Sequence, residues 1–238
     1  RSVREALKLR RHIHLEPRVQ GLQPAAASRR FPSYLAPAMT QLPELPLTLS
    51  RQEIRKMIRQ RRRALTPEQQ QEMGQQAATR MMTYPPVVMA HTVAVFLSFD
   101  GELDTQPLIE QLWRAGKRVY LPVLHPFSAG NLLFLNYHPQ SELVMNRLKI
   151  HEPKLDVRDV LPLSRLDVLI TPLVAFDEYG QRLGMGGGFY DRTLQNWQHY
   201  KTQPVGYAHD CQLVEKLPVE EWDIPLPAVV TPSKVWEW

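Results

Sequence analysis

Arg182–Arg192 reads RLGMGGGFYDR, and its four glycines, Gly184, Gly186, Gly187 and Gly188, stand directly ahead of a segment with helical composition. Without a Cβ the backbone is free to adopt positive φ, so such a run can turn successive N–H groups toward one point. The helix start that follows adds unpaired N–H donors, and a phosphate is the ligand this arrangement suits. The P-loop pattern GxxxxGK[ST] is absent, and the strand that would open a dinucleotide fingerprint ends too early in the chain. A flexible surface turn has the same glycine content. The flanks favour the anion site: Arg182 precedes the loop, and Tyr190 and Asp191 follow it. Magnesium takes one or two carboxylates together with phosphate oxygens and water, so Asp191 is a candidate ligand. Asp223, in EEWDIP, is a second candidate, although an Asp before a proline-rich loop also serves as a turn residue.

Two other segments carry chemistry. SFDGELDT (98–105) sets Glu102 and Asp104 just past the end of a strand, where a ligand-binding loop is expected; acids there also decorate helix starts. RQEIRKMIRQRRR (51–63) has seven Lys/Arg in thirteen positions. Its plain reading is a solvated face. It lacks the interleaved aromatics of a nucleic-acid element, whereas one or two arginines beside the apolar stripe, with planar guanidinium forks, would serve nucleotide phosphates. The histidines of the body show no metal-ligand spacing, and no Ser/His/Asp triad can be assigned from spacing.

These residues need a scaffold. Ser50 stands where an N-cap would stand, and Ile54, Ile58 and Leu65 share one face of a helix from Arg51, with Arg51, Arg55 and Arg62 on the flank of that stripe. Thr66 and Pro67 open a second helix to about Met82, stopped by Pro85 and Pro86. Residues 92–98, 118–123, 132–137, 167–172, 204–208 and 228–231 read as strands, and 105–115 and 189–197 as helices. The alternation predicts an α/β fold of three layers, Rossmann-like, with a largely parallel sheet, helices on both faces and ligands at the carboxyl ends of the strands.

Composition sets the outer bounds. Hydrophobic residues at 43% and charged residues at 22% describe a chain that folds, and no apolar stretch approaches the roughly 20 residues of a membrane span. Cys211 is the only cysteine, which excludes an intrachain disulfide and fits a reducing compartment. The net charge of +5 is misleading. Residues 1–38 hold eight Lys/Arg against two acids, leaving the other 200 residues at −1, so no extended basic surface for nucleic acid is expected. That arginine-rich, acid-poor segment reads as a leader outside the catalytic fold, either appended or a mitochondrial transit segment, with Met39 as a native start and residues 39–238 as one domain.

Taken together, RQEIR with RRRAL, FLSFDGELDT, LITPLVAFDEYGQRLGMGGGFYD and EEWDIPLPAVVT resemble, in order, the blocks of the 5-formyltetrahydrofolate cyclo-ligases, also called 5,10-methenyltetrahydrofolate synthetases. The likeness runs from about Arg51 to the C-terminus and leaves residues 1–38 unmatched. It implies a cytoplasmic, monomeric enzyme, or a mitochondrial one if the leader is a transit segment. Such an enzyme uses ATP and Mg²⁺ to convert 5-formyltetrahydrofolate to 5,10-methenyltetrahydrofolate, ADP and phosphate. By the same likeness Arg51, Arg55, Arg182 and Gly184–Tyr190 are ATP contacts, with Met185, Gly186, Gly187, Gly188 and Phe189 also facing the folate. Leu97 and Glu102 contact the folate, Asp191 and Asp223 bind magnesium, and Arg182 and Tyr190 act in catalysis. The chain departs from the family where Arg51 replaces the common Lys and Phe189-Tyr190 replaces Tyr-Tyr. The alternatives are another ATP-dependent phosphotransferase and a nucleotide- or RNA-binding module, since fold alone does not decide between them.

Overall fold

The structure is a computed structural model that describes residues 49–238; the proposed leader and Met39 lie outside the described residues. Helices α1 (Arg51–Arg63), α2 (Pro67–Thr83) and α3 (Pro85–Met89) lead into strand β1 (Thr92–Ala94) and helix α4 (Gln106–Arg114). Strands β2 (Arg118–Leu124), β3 (Leu132–Tyr137), β4 (Leu143–Met145), β5 (His151–Pro153), β6 (Val160–Leu161), β7 (Val168–Thr171), β8 (Ala175–Asp177) and β9 (Arg182–Leu183) follow. Helix α5 (Phe189–Leu194) precedes β10 (Gln203–Tyr207), β11 (Leu213–Val214), β12 (Ala228–Val230) and β13 (Val235–Glu237).

The main sheet runs β13-β12-β10-β7-β1-β2-β3-β6. Its five central strands are parallel, and β13, β3 and β6 close it with antiparallel pairs. The expected α/β architecture with a largely parallel sheet is therefore present. Its strands read as continuous apolar runs because both faces are covered: Val168, Leu169 and Ile170 of β7 are all buried. Ala77, Ala78 and Met81 of α2 and Leu108, Ile109 and Leu112 of α4 pack on one side of the sheet. Leu194 of α5 and Trp197 join a second cluster with Leu169 and Val229. Ile54 and Ile58 of α1 pack instead on a small sheet, β11-β8-β9.

The caps are those the sequence predicts. Ser50 and Thr66 both form capping boxes, with Glu53 and Gln69 as reciprocal partners. Other expectations change. β1 is only Thr92–Ala94, because beyond Val95 the chain leaves the ladder and Phe96 O accepts from Thr105 Oγ1 at 2.7 Å. α5 ends at Leu194 rather than continuing to Trp197, since Asn196 at φ 62° breaks it. Pro85 and Pro86 stop α2 but open the one-turn α3. The small sheet, the β4–β5 hairpin and β13 were not foreseen.

The basic helix departs furthest from its plain reading. Leu65 lies past the end of α1, and Arg62 extends the buried stripe in its place, fully excluded from solvent. Arg59, Arg62 and Arg63 all converge on Asp100. Arg59 Nε reaches Oδ2 at 2.6 Å, Arg62 Nε donates to the Asp100 carbonyl at 2.9 Å, Arg62 Nη2 reaches Oδ2 at 3.2 Å, and Arg63 pairs with Oδ1. Burial alone would raise the Asp100 pKa, but hydrogen bonds from Arg59 and Arg63 outweigh it and hold the carboxyl below its ordinary value. The clamp seizes a tight turn. Asp100 and Gly101 have φ of 55° and 74°, and the Gly101 carbonyl is held by Gln70 Nε2 and His209 Nε2, each at 3.2 Å. Asp100→Ala would strand the Arg62 guanidinium without an ionic partner, and breaking a buried pair in this way costs about 3 kcal/mol. Urea unfolding at neutral pH is expected to show a loss of that order; a loss below about 1 kcal/mol would mean that water already solvates Arg62.

Candidate active site

The clamped turn faces a cavity of about 660 Å³ at the carboxyl ends of β1, β2 and β7. This is the crevice where an open parallel sheet exposes its strand ends to ligand. Three segments far apart in sequence meet there. Arg51 and Arg55 come from the first two turns of α1, Leu97, Phe99 and Glu102 from the loop after β1, and Arg182 with Gly184–Asp191 from β9, the glycine loop and α5. Of the site residues that the resemblance implies, only Asp223 is missing from the cavity lining; Asp104 and Arg62, singled out beside them, are also outside it.

The glycine loop has the required backbone. Gly186 and Gly188 sit at φ 105° and 69°, and a Cβ at Gly187 would lie 2.9 Å from the Phe189 ring. Arg55 Nε donates to the Gly184 carbonyl at 2.8 Å, which fixes one end of the loop to α1. Arg192, which the sequence did not single out, fixes the other end: its Nε donates to Gly130 O at 2.7 Å, its Nη2 reaches Gly187 O, and its guanidinium lies over the Phe189 ring, 5.5 Å from the centroid. Because α5 spans only six residues, the cradle rests on loop N–H groups and arginines more than on a helix dipole.

Arg182 is buried, donates from Nε to Pro172 O at 2.9 Å and pairs with Asp191 Oδ1 at 3.5 Å. Burial lowers its pKa against the pull of Asp191. Its guanidinium lies 5.6 Å from the Tyr190 ring centre. The Tyr190 hydroxyl is buried without a partner, and burial raises its pKa. Asp191 Oδ1 also accepts from Ile224 N at 3.2 Å, leaving Oδ2 without a bond.

Asp223 has a different place from the one expected. Arg51 grips it with both arms, Nη1 to Oδ2 at 2.5 Å and Nη2 to Oδ1 at 3.0 Å, and Oδ2 also accepts from Glu220 N at 2.8 Å. Both carboxylate oxygens accept hydrogen bonds, so Asp223 here aims Arg51, and a magnesium ion at the expected position would share the carboxylate with that guanidinium. Among the described residues no group of three or more His, Cys, Asp or Glu forms a metal cage. The donor without a hydrogen bond is Oδ2 of Asp191 beside the phosphate loop, and one such oxygen fits magnesium when phosphates and water complete the shell.

Glu102 is buried at the other flank of the cavity. Burial is the main cause that pushes its pKa up to about 7, against the Phe99 N–H donated to Oε2 at 3.1 Å and the charge of Arg62. Next to it His209 is pushed down to about 4, again chiefly by burial. Apolar side chains left exposed, among them Phe99, Met185 and Trp222, line the same cavity, which marks a place for a ligand with large apolar faces.

Residues 48–232 match the sequence model of the 5-formyltetrahydrofolate cyclo-ligase family. The chain belongs to that family. It is 53% identical over 179 residues to the 5-formyltetrahydrofolate cyclo-ligase of Haemophilus influenzae, covering 75% of this chain and 96% of that one. It is 31% identical to the Mycolicibacterium smegmatis protein of the same name, over 78% of this chain and 95% of that one. The solved Aquifex aeolicus 5,10-methenyltetrahydrofolate synthetase superposes with a TM-score of 0.69 at 28% identity, over 79% of this chain and 93% of that one. Cyclo-ligase family membership and the fold expected from the resemblance are thus both found. No helix among the described residues is long and apolar enough to cross a membrane.

The opposed shifts of Glu102 and His209 give this cyclo-ligase family member a pH signature. Between about pH 4.5 and 6.5 the unfolded chain protonates His209 while the folded protein keeps it neutral, so this residue makes stability rise with pH. The folded protein retains the Glu102 proton that the unfolded chain releases, so Glu102 makes stability fall with pH up to about 7. One proton each way cancels. Urea midpoints for the wild type are expected to be nearly flat across this window. Glu102→Gln, which keeps an acceptor for Phe99 N–H, is expected to unmask a rise approaching 1.4 kcal/mol per pH unit. Parallel profiles for the two proteins would show that Glu102 titrates normally.

Proposed function

We propose that the protein closes the ring of 5-formyltetrahydrofolate with the help of Mg-ATP, giving 5,10-methenyltetrahydrofolate, ADP and phosphate. The observation that carries this reading is a single cavity with an anion cradle on one flank and a buried carboxyl on the other. The glycine loop, Arg55 and Arg182 suit the phosphates, and Glu102 with Leu97 and Phe99 suits a flat heterocycle with N–H donors. An ATP γ-phosphoryl group and a formyl oxygen bound there would lie side by side.

The formyl oxygen is a poor leaving group until it is phosphorylated. Transfer of the γ-phosphoryl group to it releases ADP; N10 then forms a bond to the formyl carbon and loses its proton, and the carbon–oxygen bond breaks to release phosphate. No protein nucleophile is needed. The chain's part is positioning and charge cancellation. Arg182 and Arg55 meet the growing charge on the phosphoryl oxygens, the loop N–H groups hold the phosphates in line, and Glu102 accepts from the heterocycle. Tyr190 offers a buried hydroxyl without a partner, beside the Arg182 guanidinium in the cavity lining. Asp191 would hold the magnesium ion, which supplies neutralisation of phosphate charge; Asp223 holds the Arg51 fork against the nucleotide end.

The test is absorbance in the long-wavelength band of the methenyl product on mixing protein with 5-formyltetrahydrofolate. A rise that requires both ATP and magnesium is expected, and ATP turnover indifferent to the folate would point to another acceptor. Asp191→Asn keeps an acceptor for Ile224 N–H but weakens metal binding. Its turnover is expected to fall about 100-fold while folate affinity in the absence of ATP holds. A matching loss of folate affinity would move Asp191 from the metal to the folate.

A further inference from the structure

The glycine loop is held from outside the cavity as well as from within it. Arg192, in α5, is exposed and takes no part in the cavity lining, whereas Gly187 and Gly188 do. Its partners are two backbone carbonyls and a ring rather than a carboxylate: Nε donates to Gly130 O at 2.7 Å, Nη2 donates to Gly187 O, and the flat face covers Phe189. Two glycines make room for it. A Cβ at Gly130 would lie 2.6 Å from Nη2, and one at Gly188 would lie 2.8 Å from Nη1. Gly130 belongs to the loop between β2 and β3 (125–131), which is braced on its own account. His125 Nδ1 accepts from Phe127 N at 3.1 Å and from Ser128 N at 3.0 Å, and His125 N donates to Asn131 O at 3.0 Å.

The grip on Gly187 O sets the direction of the next N–H. Across a trans peptide the C=O and the N–H point opposite ways in one rigid plane. With Gly187 O drawn out to Arg192, the Gly188 N–H is turned the other way, toward the cavity that both glycines line. Among the described residues no backbone or side-chain acceptor takes that N–H. Glycine on both sides of the peptide leaves its plane free to rotate, so the loop sequence permits this direction without fixing it. Arg192 supplies the missing constraint.

We propose that Arg192, braced by the Gly130 carbonyl, is a positioning residue for the nucleotide: it aims the Gly188 N–H at a phosphate oxygen, so that the β2–β3 loop, wholly outside the cavity lining, sets the affinity for ATP. The inference rests on the reading that nucleotide phosphates fill the glycine loop. Direction matters here more than charge. If the Gly187–Gly188 peptide rotated, a carbonyl would face the phosphate in place of an N–H and would repel it. The planar guanidinium fork holds two carbonyls in a fixed relation, which the ammonium of a lysine, a point charge on a flexible stem, does not. Leu97 and Glu102 reach the cavity from the loop after β1, so the loss of this anchor falls on the nucleotide and spares the folate flank.

Dissociation constants for Mg-ATP and, separately, for 5-formyltetrahydrofolate without ATP, measured by calorimetry, test this. Arg192→Gln removes the fork and the charge, and Arg192→Lys removes the fork alone. Both are expected to bind Mg-ATP about tenfold more weakly, as the loss of one charge-assisted hydrogen bond would give, and to keep the wild-type folate affinity. Gly130→Ala crowds the guanidinium without changing any charge and is expected to weaken Mg-ATP to a similar extent. The double variant Gly130→Ala/Arg192→Gln is then expected to bind no more weakly than Arg192→Gln alone, because both changes break one anchor. Wild-type ATP affinity in Arg192→Lys or Gly130→Ala, additive losses in the double variant, or an equal loss of folate affinity would each overturn the proposal. Turnover separates it from the reading beneath it: a nucleotide-selective loss without methenyl formation removes the cyclo-ligase and leaves the anchor, whereas methenyl formation with undiminished ATP affinity in the variants does the reverse. A wild type that binds no Mg-ATP would overturn both.

Discussion

Three arginines of one helix close on Asp100, and the site is assembled around that contact. The turn it holds needs positive φ at two successive residues, a conformation that Gly101 adopts freely and Asp100 does not. Asp-Gly favours such a turn locally, and the clamp fixes it in place against α1. With it, Glu102 is delivered to the cavity at a fixed height, its own N–H bonded to Phe99 O at 3.0 Å and its carboxylate accepting from Phe99 N. The same helix supplies Arg51 and Arg55 from its other end. At 1.5 Å per residue the seven-residue step from Arg55 to Arg62 is roughly 10 Å, so α1 acts as a rigid spacer between the glycine-loop flank and the Glu102 flank. The two flanks therefore cannot drift independently.

That arrangement explains what could be read from the chain and what could not. Ser50-x-x-Glu53 and Thr66-Pro67-x-Gln69 are local signals whose partners lie within three residues, and both caps form as expected. The glycine loop was legible for the same reason, since φ freedom is a property of the residue itself. Asp100 was not legible as a hub, because its partners are about forty positions upstream and a surface arginine has the same spelling as a buried one. Arg62 sat at the edge of a counted apolar stripe, and only tertiary packing decides that it, and not Leu65, continues the buried face. The β4–β5 hairpin escaped because its strands are three residues long and their pattern of half-buried and exposed positions is too short to establish a period.

Asp223 shows what a change of one neighbour does to a role carried across by position. A carboxylate that holds a guanidinium has less of its charge left for a metal. Here a guanidinium in the place of the family's usual lysine takes both oxygens at once, a bidentate grip that an ammonium does not offer. Asp223 is almost wholly enclosed, so the pair is shielded from solvent and stronger than a surface ion pair. One substitution of apparently equal charge thus changes what its partner can do.

The distribution of charge then accounts for the specificity the cavity can express. Arg59, Arg62 and Arg63 spend their charge on Asp100, and Arg51 spends its own on Asp223, so a helix with seven basic residues offers the cavity chiefly Arg55. Arg182 adds a second cation, half balanced by Asp191. An anion entering this site meets two guanidinium groups and a loop of N–H donors rather than a broad positive field. Such a site discriminates by geometry: a phosphate chain that fills the loop gains every contact, whereas an extended polyanion gains few. The exposed apolar side chains at the rim, Phe99, Met185 and Trp222, impose the complementary demand that the rest of the ligand be flat and apolar. Charge confined to one flank and apolar surface along the rest match the proposed pairing of a nucleotide with a folate.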